Sequence, residues 1–81
     1  MRATVVVRPK AGILDPQGQA VEGSLRQLGF DVGAARLGRV IDLELAATTR
    51  EEARAEVERM CERLLANPLI ESYEIELDGA A

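Results

Sequence analysis

Apolar and polar positions follow two different periods along this chain, and the switches between them divide it into elements. Thr4-Val5-Val6-Val7 is β-branched throughout and reads as a first strand. Asp15-Pro16 opens a helix: the carboxylate caps free N–H groups, and proline takes the first helical position, where no N–H is needed. Val21, Leu25 and Leu28 then recur at i, i+4 and i+7 and define one apolar face. Gly23 weakens the interior by up to about 1 kcal/mol relative to Ala. Gly29 ends the helix through a left-handed cap, with Phe30 expected to pack back on it. Val32 to Leu37 reads as a weaker strand, loosened by Gly33, and Gly38 turns the chain. From Val40 to Leu45 the alternation is clean, with Ile41, Leu43 and Leu45 on one face and Asp42 and Glu44 on the other. These two stretches predict a hairpin.

Thr49-Arg50-Glu51-Glu52 is a capping box, and the helix it opens carries Ala53, Val57, Met60, Cys61, Leu64 and Leu65 on its inner stripe. Its outer face is charged, with Glu51–Arg54 and Glu56–Arg59 expected to pair. Pro68 stops it. A last strand runs from Ile70 to Leu77, Tyr73, Ile75 and Leu77 inward and Ser72, Glu74 and Glu76 outward, before a frayed Gly79-Ala80-Ala81 tail. The order is βαββαβ. It predicts an α+β fold of ferredoxin-like type, a four-stranded antiparallel sheet with two helices on one face, as a single domain over residues 1–81.

Composition narrows what such a domain does. The chain has no histidine, one cysteine and no tryptophan, and its only aromatic residues are Phe30 and Tyr73. A domain of this size buries only about 60% of its unfolded surface, so a thin aliphatic core points to a homodimer or a tetramer of dimers. The net charge of -4 comes from interspersed residues. Nucleic-acid binding requires a basic footprint and stacking rings, and the residues expected on the central strands, Val5, Val7, Ile41 and Leu43, are not aromatic. The lone Cys61 fits a reducing compartment, and no apolar run reaches the ~20 residues of a membrane span. The expectation is a cytoplasmic protein that binds neither nucleic acid nor membrane.

Candidate chemistry is sparse. Gly12 to Gly18 has the look of a phosphate cradle at a helix start, but it lacks the glycine spacing and Lys-Ser/Thr pair of a nucleotide loop. A loop with a capped helix accounts for it. Cys61 has no histidine to activate it and lies on an apolar stripe, so it reads as a packed core thiol. Glu71, Glu74 and Glu76 read as a solvated sheet face rather than an acid/base pair. No metal, cofactor-binding or catalytic residue is expected. What remains is a set of polar residues in or near connections, namely Lys10, Asp15, Arg36, Arg39 and Asn67, where binding function concentrates on a rigid scaffold. Asn67 serves a pre-proline bend as readily as a contact, and Asp15 is already explained by capping.

These same loops resemble the PurS family, small subunits of phosphoribosylformylglycinamidine synthase. The matching pieces are Val7-Arg8-Pro9-Lys10, Leu14-Asp15-Pro16-Gln17-Gly18, Leu28-Gly29-Phe30, Val40-Ile41-Asp42-Leu43, and the run from Met60 through Leu64-Leu65-Ala66-Asn67-Pro68 to Tyr73. Arg36-Leu37-Gly38-Arg39 resembles a family turn that often carries Lys where Arg39 stands. The resemblance implies a non-catalytic structural subunit. It would join a large ATP-dependent synthetase subunit to a glutaminase subunit for ammonia transfer, in a complex using ATP, Mg and glutamine. This chain would bind no cofactor itself. An ACT-like small-molecule-sensing domain shares the βαββαβ order and is the alternative, since fold alone does not set function.

Overall fold

The computed structural model describes residues 1–78, so the expected tail at Gly79-Ala80-Ala81 lies outside the described residues. Three strands form one antiparallel sheet: β1 (Arg2–Pro9), β2 (Arg39–Glu44) and β3 (Glu71–Asp78), in the order β2-β1-β3. Two helices intervene, α1 (Pro16–Gln27) between β1 and β2 and α2 (Arg50–Met60) between β2 and β3. A π-helical turn over Cys61–Leu65 extends α2.

The central strand is the most apolar one, because it is covered from both flanks. Val5 stands opposite Ile41 and Ile75, and Ala3 opposite Leu43 and Leu77. Paired residues share a face, so these rows form one apolar surface, and Thr4 and Val6 lie on the other. Ala3, Val5 and Val7 are buried under Val57 and Cys61 of α2 and its extension. Ile41, Leu43, Leu45, Tyr73, Ile75 and Leu77 flank this core and are only half-buried.

Local signals set the helix ends as expected. The Asp15 carboxylate accepts from Gly18 N at 3.0 Å, and Thr49 Oγ1 accepts from Glu52 N at 3.1 Å. Gly29 takes a positive φ of 96°, the region that glycine enters without Cβ strain. Phe30 donates its N–H to the Leu25 carbonyl at 3.0 Å, and the residue is 59% exposed. Neither Glu51–Arg54 nor Glu56–Arg59 forms an ion pair among the described residues.

Two architectural expectations are corrected. The four-stranded sheet is a three-stranded one, because residues 32–37 form no strand and leave β2 at the edge, paired with β1 alone. Gly33, Ala34 and Ala35 offer at most a methyl group for cross-strand packing, and side chains from elsewhere claim polar groups of the segment. Arg26 donates to the Val32 and Gly33 carbonyls, at 3.1 Å each, and Asp15 accepts from Leu37 N at 2.8 Å. The ferredoxin-like cover of two helices on one face is also absent within the chain. α2 lies on the apolar face, leaning toward β3, whereas α1 makes no extensive contact with either the sheet or α2. No side chain of α1 belongs to the core, and Leu28 at its end is 73% exposed. The molecule is therefore long and thin, 49 × 25 × 14 Å with a radius of gyration of 16.0 Å. A compact chain of this length has about 12 Å.

The inner stripe of the second helix is corrected at one position. Ala53, Val57 and Cys61 are buried, but Leu64 is 82% exposed. In the π-helical turn Ala66 N donates to the Cys61 carbonyl, at 3.1 Å. This i→i+5 closure inserts a residue into the turn and rotates Leu64 off the stripe.

Candidate functional site

Antiparallel pairing brings the end of β1 beside the starts of β2 and β3, with Val7 opposite Arg39 and Pro9 opposite Glu71. Lys10, Arg36, Arg39 and Asn67 gather at this end of the sheet, and Asp15 reaches it through Leu37. The structure unites them by tying each to the chain's own backbone.

Arg39 forms a bidentate pair with Glu71, Nη1–Oε2 at 2.8 Å and Nη2–Oε1 at 3.0 Å, and also donates to the Leu65 carbonyl at 2.6 Å. The fork geometry matches a carboxylate and fixes both partners. It also satisfies a carbonyl at the end of the π-helical turn. Glu71 Oε1 accepts in addition from Asn67 N at 2.7 Å. The Arg39 hydrogen bonds, then the Asn67 N–H, hold the Glu71 carboxyl below the usual range, and Glu71 in turn raises Arg39. Asn67 Oδ1 accepts from Leu69 N at 3.1 Å and turns the chain through Pro68. Lys10 Nζ then donates to the Pro68 carbonyl at 2.6 Å, and Lys10 N to the Ile70 carbonyl at 2.9 Å, joining the two proline loops.

The second group lies around Asp15. Its carboxylate bridges Gly18 N and Leu37 N, at 3.0 and 2.8 Å. Those bonds, the Leu37 one foremost, and the nearby Arg36 charge keep its pKa below the ordinary value. Arg36 Nη2 donates to the Pro9 and Lys10 carbonyls at 2.9 and 2.6 Å. Two glycines make the close crossings possible. A Cβ on Gly18 would overlap the Ala35 carbonyl oxygen, and one on Gly38 would overlap the Val7 carbonyl oxygen. An open recess of about 550 Å³ beside this knot is lined by Val6, Arg8, Arg36, Gly38, Arg39 and Val40 among others.

The five residues expected to face a partner thus first immobilise the loops that carry them. What those loops present outward is apolar. Leu14 and Leu69 are exposed, the latter by 83%, as are Ile13 and Ile70. Sequence reasoning passed over these leucines and isoleucines because single exposed apolar residues carry no pattern. It also misplaced Glu71 among the solvated acids. The signal was available: Glu71 has the parity of Tyr73 and Ile75, which puts it on the core face beside Arg39. Cys61 is buried, and burial, with Glu62 and Glu58 nearby, pushes its thiol up and away from the reactive thiolate. Tyr73 OH donates to Glu62 at 3.4 Å, and burial with that negative charge raises it too. This arrangement positions loops.

Residues 2–79 match the PurS family, described as phosphoribosylformylglycinamidine (FGAM) synthase. The chain belongs to the PurS family. It is 38% identical over 78 residues to the phosphoribosylformylglycinamidine synthase subunit PurS of Methanocaldococcus jannaschii, covering 95% of this chain and 94% of that one. To the Archaeoglobus fulgidus subunit PurS it is 43% identical over 76 residues, covering 93% and 95%. Among solved structures, Bacillus subtilis PurS superposes with a TM-score of 0.87 at 35% identity, covering 96% of this chain and 98% of that one. A chain of the PurLQS structure from Thermotoga maritima superposes with a TM-score of 0.84 at 37% identity, covering 93% of each. The chain is a PurS subunit of the FGAM synthase of purine biosynthesis, a ligase complex.

Proposed function

We propose that this PurS chain is the coupler of its synthase, holding a glutaminase subunit against a large ATP-dependent synthetase subunit so that ammonia passes between them without escaping to water. ATP, Mg and glutamine are used by the complex, in the cytoplasm, and none is bound by this chain. The observation that carries the reading is the knot at the end of the sheet. Lys10, Asp15, Arg36, Arg39 and Asn67 lock two proline loops and the approach to β2 into one rigid surface, from which Ile13, Leu14, Leu69 and Ile70 project. Rigid loops with exposed apolar side chains lose little entropy on docking, which suits a part whose purpose is fixed geometry. The PurLQS assembly of Thermotoga maritima contains a chain of this shape. The chain works as a homodimer, or as a tetramer of two dimers, because its thin core leaves α1 and half of the apolar sheet face without cover. The ACT-like alternative has no comparable support.

Leu69→Asp and Lys10→Glu test the coupler. The first puts a charge on an exposed side chain, and the second sets a carboxylate against the Pro68 carbonyl. Both variants are expected to assemble more weakly and to lose glutamine-dependent turnover in the reconstituted synthase. Ammonia-dependent turnover should be spared, because free ammonia bypasses the docked glutaminase. Parent-like assembly and turnover in both variants would place the coupling surface elsewhere.

A further inference from the structure

The recess beside the knot gathers positive charge without acids. Arg8, Arg36 and Arg39 line it together with Val6, Val40 and Pro9, and no carboxylate side chain does. In a chain of 14 acidic and 10 basic residues this is an enrichment. It also runs against the rest of the sheet, since the recess at the far end of β1 and β2 sets Asp42, Glu44 and Asp78 against the single Arg2. At about 550 Å³ the basic recess has the size of a small-molecule site, which spans about 300–1,000 Å³. Its floor is apolar. Val6 and Val40 stand opposite each other on β1 and β2, on the sheet face away from α2, and Val40 is 61% exposed.

The three arginines are not equally committed. Arg39 is spent on Glu71. Arg36 meets no carboxylate within ion-pair distance among the described residues. Its Nη2 holds the Pro9 and Lys10 carbonyls, and its Nε and Nη1 donate to nothing among the described residues. Asp15 lies nearby, but its carboxylate is taken by the Gly18 and Leu37 N–H groups. Arg8 touches only Glu74, at 3.4 Å with both side chains largely exposed, and an ion pair of that kind contributes little and exchanges readily. Two positive charges thus stand at the recess, one without an acid and one loosely held. A singly charged carboxylate satisfies one of them. A phosphomonoester, with a charge of about −1.5 to −2 and three acceptor oxygens, satisfies both. A metal-chelated polyphosphate is not matched, because no acid lines the recess to hold a divalent cation.

We propose that this recess binds a small phosphomonoester with a flat, weakly polar body, of the nucleoside monophosphate class, its phosphate held by Arg8 and Arg36 and its body lying on Val6 and Val40. Arginine suits both parts, because its planar guanidinium hydrogen-bonds phosphate oxygens and stacks on flat rings. Arg36 also clamps the Pro9 and Lys10 carbonyls, so the ligand engages a strut of the loop surface. The inference goes beyond the coupler reading, and the chain tests it without the other subunits.

The test titrates the full chain at low ionic strength with adenosine monophosphate, adenosine and inorganic phosphate, following amide and methyl resonances. The monophosphate is expected to move the signals of Val6, Arg8, Gly38 and Val40. Adenosine and phosphate should each bind at least about tenfold more weakly, because each supplies one half of the recognition. Arg8→Gln and Arg36→Gln should each weaken monophosphate binding about tenfold or more. Arg54→Gln, on α2 and outside the recess, should leave it unchanged. Arg8 holds no backbone group, so its variant reads binding even where Arg36→Gln loosens the loops. No saturable binding in the millimolar range, or signals moving elsewhere, overturns the site. Adenosine or phosphate alone binding as tightly as the monophosphate overturns the ligand class. Parent-like binding by Arg8→Gln, or an equal loss in Arg54→Gln, refutes recognition by the recess arginines.

Discussion

Two glycines of one helix should respond to the same substitution with opposite signs. Gly23 sits in the interior of α1, and a Cβ there meets nothing within 4 Å. Gly23→Ala therefore gains only the propensity difference, up to about 1 kcal/mol. Gly18 lies in the first turn, where a Cβ would stand 2.5 Å from Asp15 Oδ2 and overlap the Ala35 carbonyl oxygen. Neither neighbour yields readily, because the carboxylate is engaged by two backbone N–H groups and the carbonyl belongs to main chain. Forcing an atom into such a contact costs about 1–3 kcal/mol, against a propensity gain of at most about 1. Two such contacts put the cost in the upper part of that range, about 2–3 kcal/mol, so the net for Gly18→Ala is a loss of about 1–2 kcal/mol. The two variants should thus stand about 2–3 kcal/mol, or about 8–24 °C, apart in Tm, on a scale of about 4–8 °C per kcal/mol for a domain of this size. Thermal unfolding by circular dichroism at one fixed chain concentration reads this directly, since the Tm of an oligomer depends on concentration. Hydrogen exchange of the α1 amides localises the effect. If Gly18→Ala matches or exceeds the parent in stability, segment 31–38 does not press on α1, and the argument that α1 is held outward fails.

Acid should act late. Asp15 and Glu71 both have lowered pKa values in the folded chain, so their contribution is complete above the unfolded value near 4 and is lost as pH falls through the folded one. Urea midpoints are expected to be flat from pH 7 to 5 and to fall below about pH 4, and Glu71→Gln should remove part of that slope. A midpoint falling between pH 7 and 5 would contradict this assignment. Cys61→Ser should cost less than about 2 kcal/mol of stability and leave glutamine-dependent turnover unchanged. The parent thiol should react with a thiol reagent only on unfolding, and rapid labelling of the native chain would refute the buried, protonated thiol.

Much of the candidate site was legible residue by residue, but its wiring was not. Lys10, Arg36, Arg39 and Asn67 stand out in the sequence as polar residues in or near connections, and Asp15 as a helix cap. Their bonding partners do not, because Arg39 reaches Glu71 across 32 positions and Lys10 reaches Pro68 across 58. Nothing in the local composition reports such closures. The roles consequently shift from contact residues to the struts of a surface whose outward groups are apolar.

Properties with a short range were determined by sequence alone. The alternation from Val40 to Leu45 and from Tyr73 to Leu77 specifies which side chains share a face, because strand geometry repeats every two residues. Asp15-Pro16 and Thr49-Arg50 specify where helices start, because a cap acts within one turn. Tertiary structure decided which of the extended stretches became strands. Residues 32–37 did not become one, since Arg26 and Asp15 hold their backbone groups, and β2 pairs with β1 alone. It also decided where α1 lies. An apolar stripe shows that a helix must be covered but not by what, and here the close crossing at Gly18 holds the stripe away from its own sheet. Burial is a property of the whole arrangement, so the same periodicity that predicts a helix is silent on whether its cover comes from this chain or from a second copy.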